Sequence, residues 1–309
     1  MHNNINGPAL IRVPDWIPNP LGAYYLYFAH HAGDHIRLAY ADTLAGPWQI
    51  YPGGVLHLAQ SRFVDHIASP DVRVDHANQR IVMAYHGVLP ETDRAAITPE
   101  IDEYFFSAQR TRIATSPDGL HFTERAPVIS AAYLRVVAFK GAYYGVAMPG
   151  LLYRSADGLA DFERGPLLLR EHLTDHDPNA YFYGDKGFYA PPGGSVRHVA
   201  LLPRGDELFV FFSRAGDCPE AIYLSRIDAR SDDWHAWTAS EPVLILAPET
   251  DYEGADCPLE PSQRGLARAR VRQLRDPGIF AENGCIYLLY TTAGEYGIGL
   301  AELIRDSNP

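Results

Sequence analysis

The feature that most constrains this chain is a repeat carried by its strands. Four segments begin with a polar residue ahead of an apolar strand and a turn. A second, aromatic-rich strand follows at the same interval, eleven residues on: Asp71 to Val82, Tyr133 to Tyr144, His198 to Phe209 and Asp276 to Tyr287. A looser first copy runs from Asn6-Gly7-Pro8 to Tyr24-Tyr25-Leu26-Tyr27. Internal repetition constrains architecture before any local propensity does. The strands are short, often alternating, and bounded by Gly, Pro, Asn and Asp, with almost no helical period. The copies span Pro8 to Val55, Ser69 to Ile129, Tyr133 to Leu169, Val196 to Leu246 and Arg272 to Leu303. The expectation is an all-β, five-bladed β-propeller, with four-stranded antiparallel blades around a central channel. With no dividing linker, residues 1–309 are expected to form a single domain.

If the blades are equivalent, their starting residues converge at one end of the channel. That places Asn6, Asp71, Tyr133, His198 and Asp276 in one ring. Three stretches interrupt the pattern. Glu91 to Gln109 accommodates one short helix, Glu171 to Gly194 is rich in Asp, Tyr, Gly and Pro, and Pro248 to Ala269 joins copies four and five. Long loops inside a compact domain are more often functional than idle.

Charge narrows the partners. The formal net charge is −12, without a Lys/Arg-rich run. Nucleic acid and anionic membrane surfaces are therefore not expected partners, because both are bound by neutralising phosphate. Three widely spaced cysteines, Cys218, Cys257 and Cys285, do not suggest a disulfide framework. No charged region followed by an apolar run opens the chain, and no stretch approaches a membrane span. A cytoplasmic location is expected, although a removed leader would leave the same sequence. There is no Gly-x-Ser-x-Gly elbow, phosphate-binding Gly-Lys-Ser/Thr loop, His-Glu-x-x-His or Cys-x-x-Cys. Asp175-His176-Asp177 is a weak metal-like cluster, and no metal ligand set is assigned.

Asp71 in Ser69-Pro70-Asp71-Val72 and Asp276 in Arg275-Asp276-Pro277 stand at matching strand starts. Each could simply bond backbone N–H groups there. Cleaving a glycosidic bond calls for two carboxylates across a cleft, which a propeller mouth can supply from distant segments. Glu253, in Asp251-Tyr252-Glu253-Gly254, is placed beside aromatic surface, where burial would raise its pKa as a general acid requires. His198 could hold a substrate hydroxyl, ligate a metal or donate a proton. His66, His86 and the His30-His31 pair read as polar contacts. Arg135, Arg197 and Arg275 lie within two residues of ring positions. They either pair with neighbouring carboxylates or recognise an anionic substrate group.

The starts at Asp71 and Asp276, the Tyr24–Tyr27 strand and the Ala45-Gly46-Pro47-Trp48 close resemble the five-bladed β-propeller glycoside hydrolases. These form the broad group around families 43, 62 and 117, with invertases and levansucrases more distant. The resemblance covers essentially the whole chain through short motifs. In family 43 a blade-one Asp is the base, a blade-two Asp tunes pKa and a later Glu is the acid. Asp71 matches the blade-two position. Glu253-Gly254 resembles the acid segment, one blade later than in the family. The blade-one position holds Asn6-Gly7-Pro8, and Asn cannot deprotonate water, so either the base has moved, with Asp71 or Asp276 the candidates, or the chain is not a family 43 type enzyme. Family 117 is similar in its Ser-Pro and His-Gly segments around Asp71 and His86, and its proposed His acid gives His198 a claim beside Glu253.

The expected function is hydrolysis of a small oligosaccharide or a polysaccharide end. Asn6, His66, His86, Tyr133 and the three arginines would hold sugar. No cofactor is required, which leaves room for a structural Ca2+ in the channel. The alternatives are a catalytically silent carbohydrate-binding propeller, a sialidase-like enzyme hinted at by Ser-x-Asp-Gly at 116–119 and 155–158, and a protein-interaction propeller.

Overall fold

A computed structural model of the chain describes residues 4–94, 108–169 and 195–304, with the short strand pair Tyr183–Gly184 and Gly187–Phe188. The Asp175-His176-Asp177 cluster and most of the Glu171 to Gly194 stretch lie outside the described residues. Five antiparallel sheets follow one another along the chain, each a meander whose neighbours in sequence are neighbours in space. Their innermost strands are Asn6–Arg12, Val64–Asp75, Arg135–Phe139, Ser195–Arg204 and Arg275–Glu282. Blades 1 to 4 carry at least four strands, whereas blade 5 has three among the described residues. Among the described residues of the first interruption, Glu91–Arg94 form one helical turn, and residues 95–107 lie outside the described residues.

Closure follows from burial on both faces of every blade. Apolar residues cluster between blades 1 and 2 around Tyr25, Tyr27, Met83 and Tyr85. A second cluster joins blades 2 and 3 around Ile113 and Tyr153, and a third joins blades 3 and 4 around Tyr144 and Trp237. Blades 4 and 5 meet at Phe211 and Tyr290, and blade 5 returns to blade 1 through Phe280 and Leu26. Face-to-face packing of this kind is the main favourable term for an all-β chain. Polar ties complete the last seam: the Tyr24 hydroxyl donates to Glu282 at 2.7 Å, and Ile5 N–H donates to the Glu295 carbonyl at 2.8 Å. No described helix is long and apolar enough to cross a membrane.

The two Ser-x-Asp-Gly segments have the same local purpose. Ser116 Oγ accepts from Asp118 and Gly119 N–H, while Asp118 Oδ1 accepts from Leu120 and His121 N–H. Ser155 and Asp157 repeat the network in blade 3. Each closes the turn between the third and fourth strands, which accounts for the motif without sialidase chemistry.

A ring of buried polar groups at the blade starts

The innermost strands of blades 1, 2, 4 and 5 each carry a register shift, at Asn6/Ala9, Ala68/Asp71, Val196/Val199 and Arg275/Gly278, with a second in blade 2 at Val64/Ile67. A bulge of this kind re-aims a side chain and interrupts the pairing locally. The backbone marks the equivalent position: Gly7, Ser69, Tyr133 and Asp276 all have φ between 47° and 63°. Three of them, Gly7, Ser69 and Asp276, directly precede Pro. A Cβ placed on Gly7 would lie 2.3 Å from Ser69 Cα, so the starts of blades 1 and 2 touch at that level.

This geometry corrects the ring at two positions. Blade 2 contributes Ser69, not Asp71, and blade 1 contributes Gly7, with Asn6 just before it. The even interval misled because the first hairpin of blade 2 has a four-residue loop, between Asp75 and Arg80. The corresponding hairpins of blades 3, 4 and 5 close with two residues. Counting back from the hairpin lands on Ser69. The signal was present as the shared X-Pro step at Gly7, Ser69 and Asp276.

Asp71 instead links blades. Its Oδ2 accepts from Val136 N–H at 2.7 Å, and its Oδ1 lies 3.6 Å from Arg135 Nη1. Burial pushes its carboxyl up, and Arg135 and Val136 pull it back only in part. Arg135 also donates to the Val199 carbonyl at 3.3 Å and to Pro70 O, so it spans blades 2, 3 and 4. Its charge acts on both Asp71 and Asp276.

The remaining candidates form a continuous row. The rings of His66 and His86 are 6.1 Å apart, those of His86 and Tyr133 4.0 Å, and those of Tyr133 and His198 4.6 Å. His198 Nε2 then lies 3.0 Å from Asp276 Oδ1. Both partners are essentially inaccessible to solvent, while Tyr133 is half-buried. The His198–Asp276 contact is close but off the ideal hydrogen-bond line, which leaves both atoms capacity for another partner. Thr291 Oγ1 donates to Asp276 Oδ2 at 3.2 Å. Burial alone would raise the Asp276 carboxyl, but His198 and Arg135 together outweigh it and the net shift is downward. Burial lowers His198, and Asp276 only partly restores it. The directions describe a carboxylate that gives up its proton readily beside an imidazole that resists taking one. Burial, followed by the neighbouring His66, His31 and His198, holds His86 well below the usual imidazole value.

Several polar atoms here are buried without a partner in the structure: both amide atoms of Asn6, Ser69 Oγ, both ring nitrogens of His86 and Nδ1 of His198. Orphaned buried donors and acceptors are costly. Their concentration at the blade starts marks a place suited to water or a polar ligand.

Glu253 behaves otherwise than expected. It is buried in a one-turn 3-10 helix, Asp251–Glu253. Its Oε2 accepts from Glu249 N–H at 3.0 Å, Thr250 N–H at 3.1 Å and Thr250 Oγ1 at 3.0 Å. Tyr290 donates to Oε1 at 2.8 Å. Burial raises the carboxyl, but these donors more than cancel it and the net shift is downward. The raised general acid foreseen there is absent, and the residue is a loop cap.

Arg197 and Arg275 are held by the protein. Arg197 lies 3.5 Å and Arg275 3.4 Å from Glu220, and Arg275 lies 3.9 Å from Glu295. Neither Glu220 nor Glu295 had a sequence signature, since each sits in the loop between the second and third strands of its blade, away from the repeated strand starts. Glu295 binds Asn4 Nδ2 at 2.7 Å, His31 Nδ1 at 2.7 Å and Ala267 N–H at 2.9 Å.

No described group of three or more His, Cys, Asp or Glu is arranged to hold a metal ion. Imidazoles and one paired carboxylate are also a poor match to Ca2+, which takes six to eight oxygens. A cavity of about 420 Å3 between blades 3 and 4, lined by Leu167, Leu168, Phe212 and Trp237, lies off the axis and includes none of the ring side chains.

No protein-family model matches the chain. An uncharacterized protein of Acanthamoeba polyphaga mimivirus is 35% identical over 319 residues, spanning 97% of this chain and 83% of that protein. The chain belongs to that protein's family. Among solved structures it is similar to a thermostable family-43 glycoside hydrolase, at 11% identity and TM-score 0.63, over 98% of this chain and 91% of that one. A family-43 enzyme from Xanthomonas citri complexed with xylotriose gives 14% identity and TM-score 0.61, over 99% and 88% of the two chains. The Cellvibrio cellulosa α-L-arabinanase complexed with arabinohexaose gives 14% and 0.52, over 97% and 91%. The fold is thus that of the five-bladed propeller glycoside hydrolases.

Proposed function

We propose that the protein is a glycoside hydrolase acting on a small oligosaccharide or a polysaccharide end at the ring, with Asp276 and His198 as its proton-handling pair. The observation behind this reading is their 3.0 Å contact between blades 4 and 5, enclosed and flanked by unpartnered polar atoms. A readily ionised carboxylate beside an imidazole that resists protonation is poised to accept a proton from water or a sugar hydroxyl. His198 Nδ1 is unpartnered, and a resting contact that is off line tightens when substrate arrives. Tyr133, half-buried, tilted against His86 and edge-on to His198, adds an aromatic surface for sugar C–H groups. The neighbours crystallised with xylotriose and arabinohexaose support a carbohydrate ligand. Asp71 and Glu253 are structural in this scheme.

The test is release of reducing sugar from a panel of aryl glycosides and plant or algal oligosaccharides. Turnover by the wild type, lost in Asp276→Asn and His198→Gln, is the expected result. A second reading, a sugar-binding propeller without turnover, is favoured by Gly7 in the blade-one slot and by the capped Glu253. Calorimetric binding with no product from the wild type would decide for it.

A further inference from the structure

A cluster of buried charge adjoins the His198–Asp276 pair. Arg197 and Arg275 immediately precede His198 and Asp276, at matching bulges of neighbouring blades. Both guanidiniums converge on Glu220, which stands between the second and third strands of blade 4, Glu207–Ala215 and Ile222–Asp228. Arg197 Nη1 lies 3.5 Å and Arg275 Nε 3.4 Å from the same oxygen, Glu220 Oε2. The other oxygen accepts from Ser213 Oγ at 2.8 Å. The Glu220 carbonyl accepts from Leu274 N–H at 2.9 Å, two residues before Asp276. One fully buried residue is thereby tied to the neighbour of each member of the pair and to the main chain leading into one of them. The Gln263 carbonyl, on the loop entering blade 5, is a second acceptor shared by the two guanidiniums.

We infer that Glu220 is a positioning residue that sets the separation and orientation of His198 and Asp276, an inference that rests on the proton-handling role proposed above. Two guanidiniums enclosed in protein repel with little screening. A carboxylate between them converts that repulsion into a bridge across blades 4 and 5. Each arginine is one residue from a member of the pair, so the bridge holds the two bulged strand starts at a defined spacing. Glu295 approaches Arg275 at 3.9 Å but is already bound to Asn4, His31 and Ala267. Replacing Glu220 by Gln keeps the shape and removes the charge. The guanidiniums then push the two starts apart, and the imidazole loses its partner.

The experiment is nitrogen-15 NMR of the histidine side chains in the full chain, wild type against Glu220→Gln, with His198→Gln assigning the His198 signals. The wild type should show one His198 imidazole whose N–H proton, enclosed against Asp276, exchanges slowly with solvent. In Glu220→Gln that proton should broaden or vanish while the backbone amide spectrum stays folded. On any glycoside the wild type cleaves, kcat should fall about tenfold or more with KM little changed. Glu220→Asp should restore part of the signal. Unchanged His198 signals in folded Glu220→Gln overturn the inference, even with a lowered melting temperature, since Glu220 would then serve stability alone. Should that variant fail to fold, Ser213→Ala, which removes one hydrogen bond to Glu220, is read instead. It should weaken the same proton, and an unaltered His198 again overturns the inference. The spectra need no substrate, so a wild type that cleaves nothing defeats the hydrolase reading while Glu220 is still decided.

Discussion

Blades 2 and 5 both start with an Asp beside a Pro, yet they use it in different ways. In blade 5 the Asp precedes Pro277, occupies the left-handed slot and meets His198. In blade 2 Ser69 fills that slot, and Asp71 follows Pro70 and reaches Val136 of the next blade. A displacement of two residues along one strand separates a ring group from an inter-blade tie. Position within the bulge, more than residue type, therefore decides which carboxylate is available for chemistry.

The comparison breaks most readily through turnover. Asp276→Asn should lower it by about 10²–10⁴-fold with a melting temperature close to wild type, measured by initial rates and calorimetry. Asp71→Asn should leave turnover within about tenfold. The reverse pattern would return Asp71 to the ring. Gly7→Ala tests the slot itself: with φ at +58° and Ser69 Cα 2.3 Å from the new Cβ, the cost should be roughly 2–5 kcal/mol in urea denaturation. A neutral outcome would mean that the starts of blades 1 and 2 do not meet as described.

Asp71→Asn sharpens the other half of the comparison. Weakening the Val136 bond and the Arg135 pairing should destabilise by about 1–3 kcal/mol. The smallest effect belongs to Glu253, whose carboxyl titrates lower folded than unfolded. Its capping contribution is present above the unfolded value of about 4.3 and is lost as pH falls through the folded value. Glu253→Gln should therefore be less stable than wild type by about 1 kcal/mol near pH 7. The gap should close in acid, and a constant gap from pH 7 to pH 3 would show that the carboxylate charge is not what the cap uses.

The row from His66 to Asp276 shows how far the strand starts could be read. Tyr133, His198 and Asp276 fell into line because blades 3, 4 and 5 share a two-residue first hairpin. Asp71 did not, because two extra loop residues shifted the count without altering the strand. Glu253 was misread for another reason. Its neighbour Tyr252 suggested an aromatic setting, but the loop folds its own N–H groups and the Tyr290 hydroxyl onto the carboxylate.

The order of strands along the chain determined the five-bladed meander, because alternating apolar faces can be buried only by stacking one sheet on the next. Tertiary structure alone decided which polar groups share the axis and what holds them there. Glu220 and Glu295 come from loops away from the repeated strand starts, and their partners lie in other strands and blades. Charge pairing in an enclosed centre depends on separations of a few ångströms, and distance along the chain does not encode them.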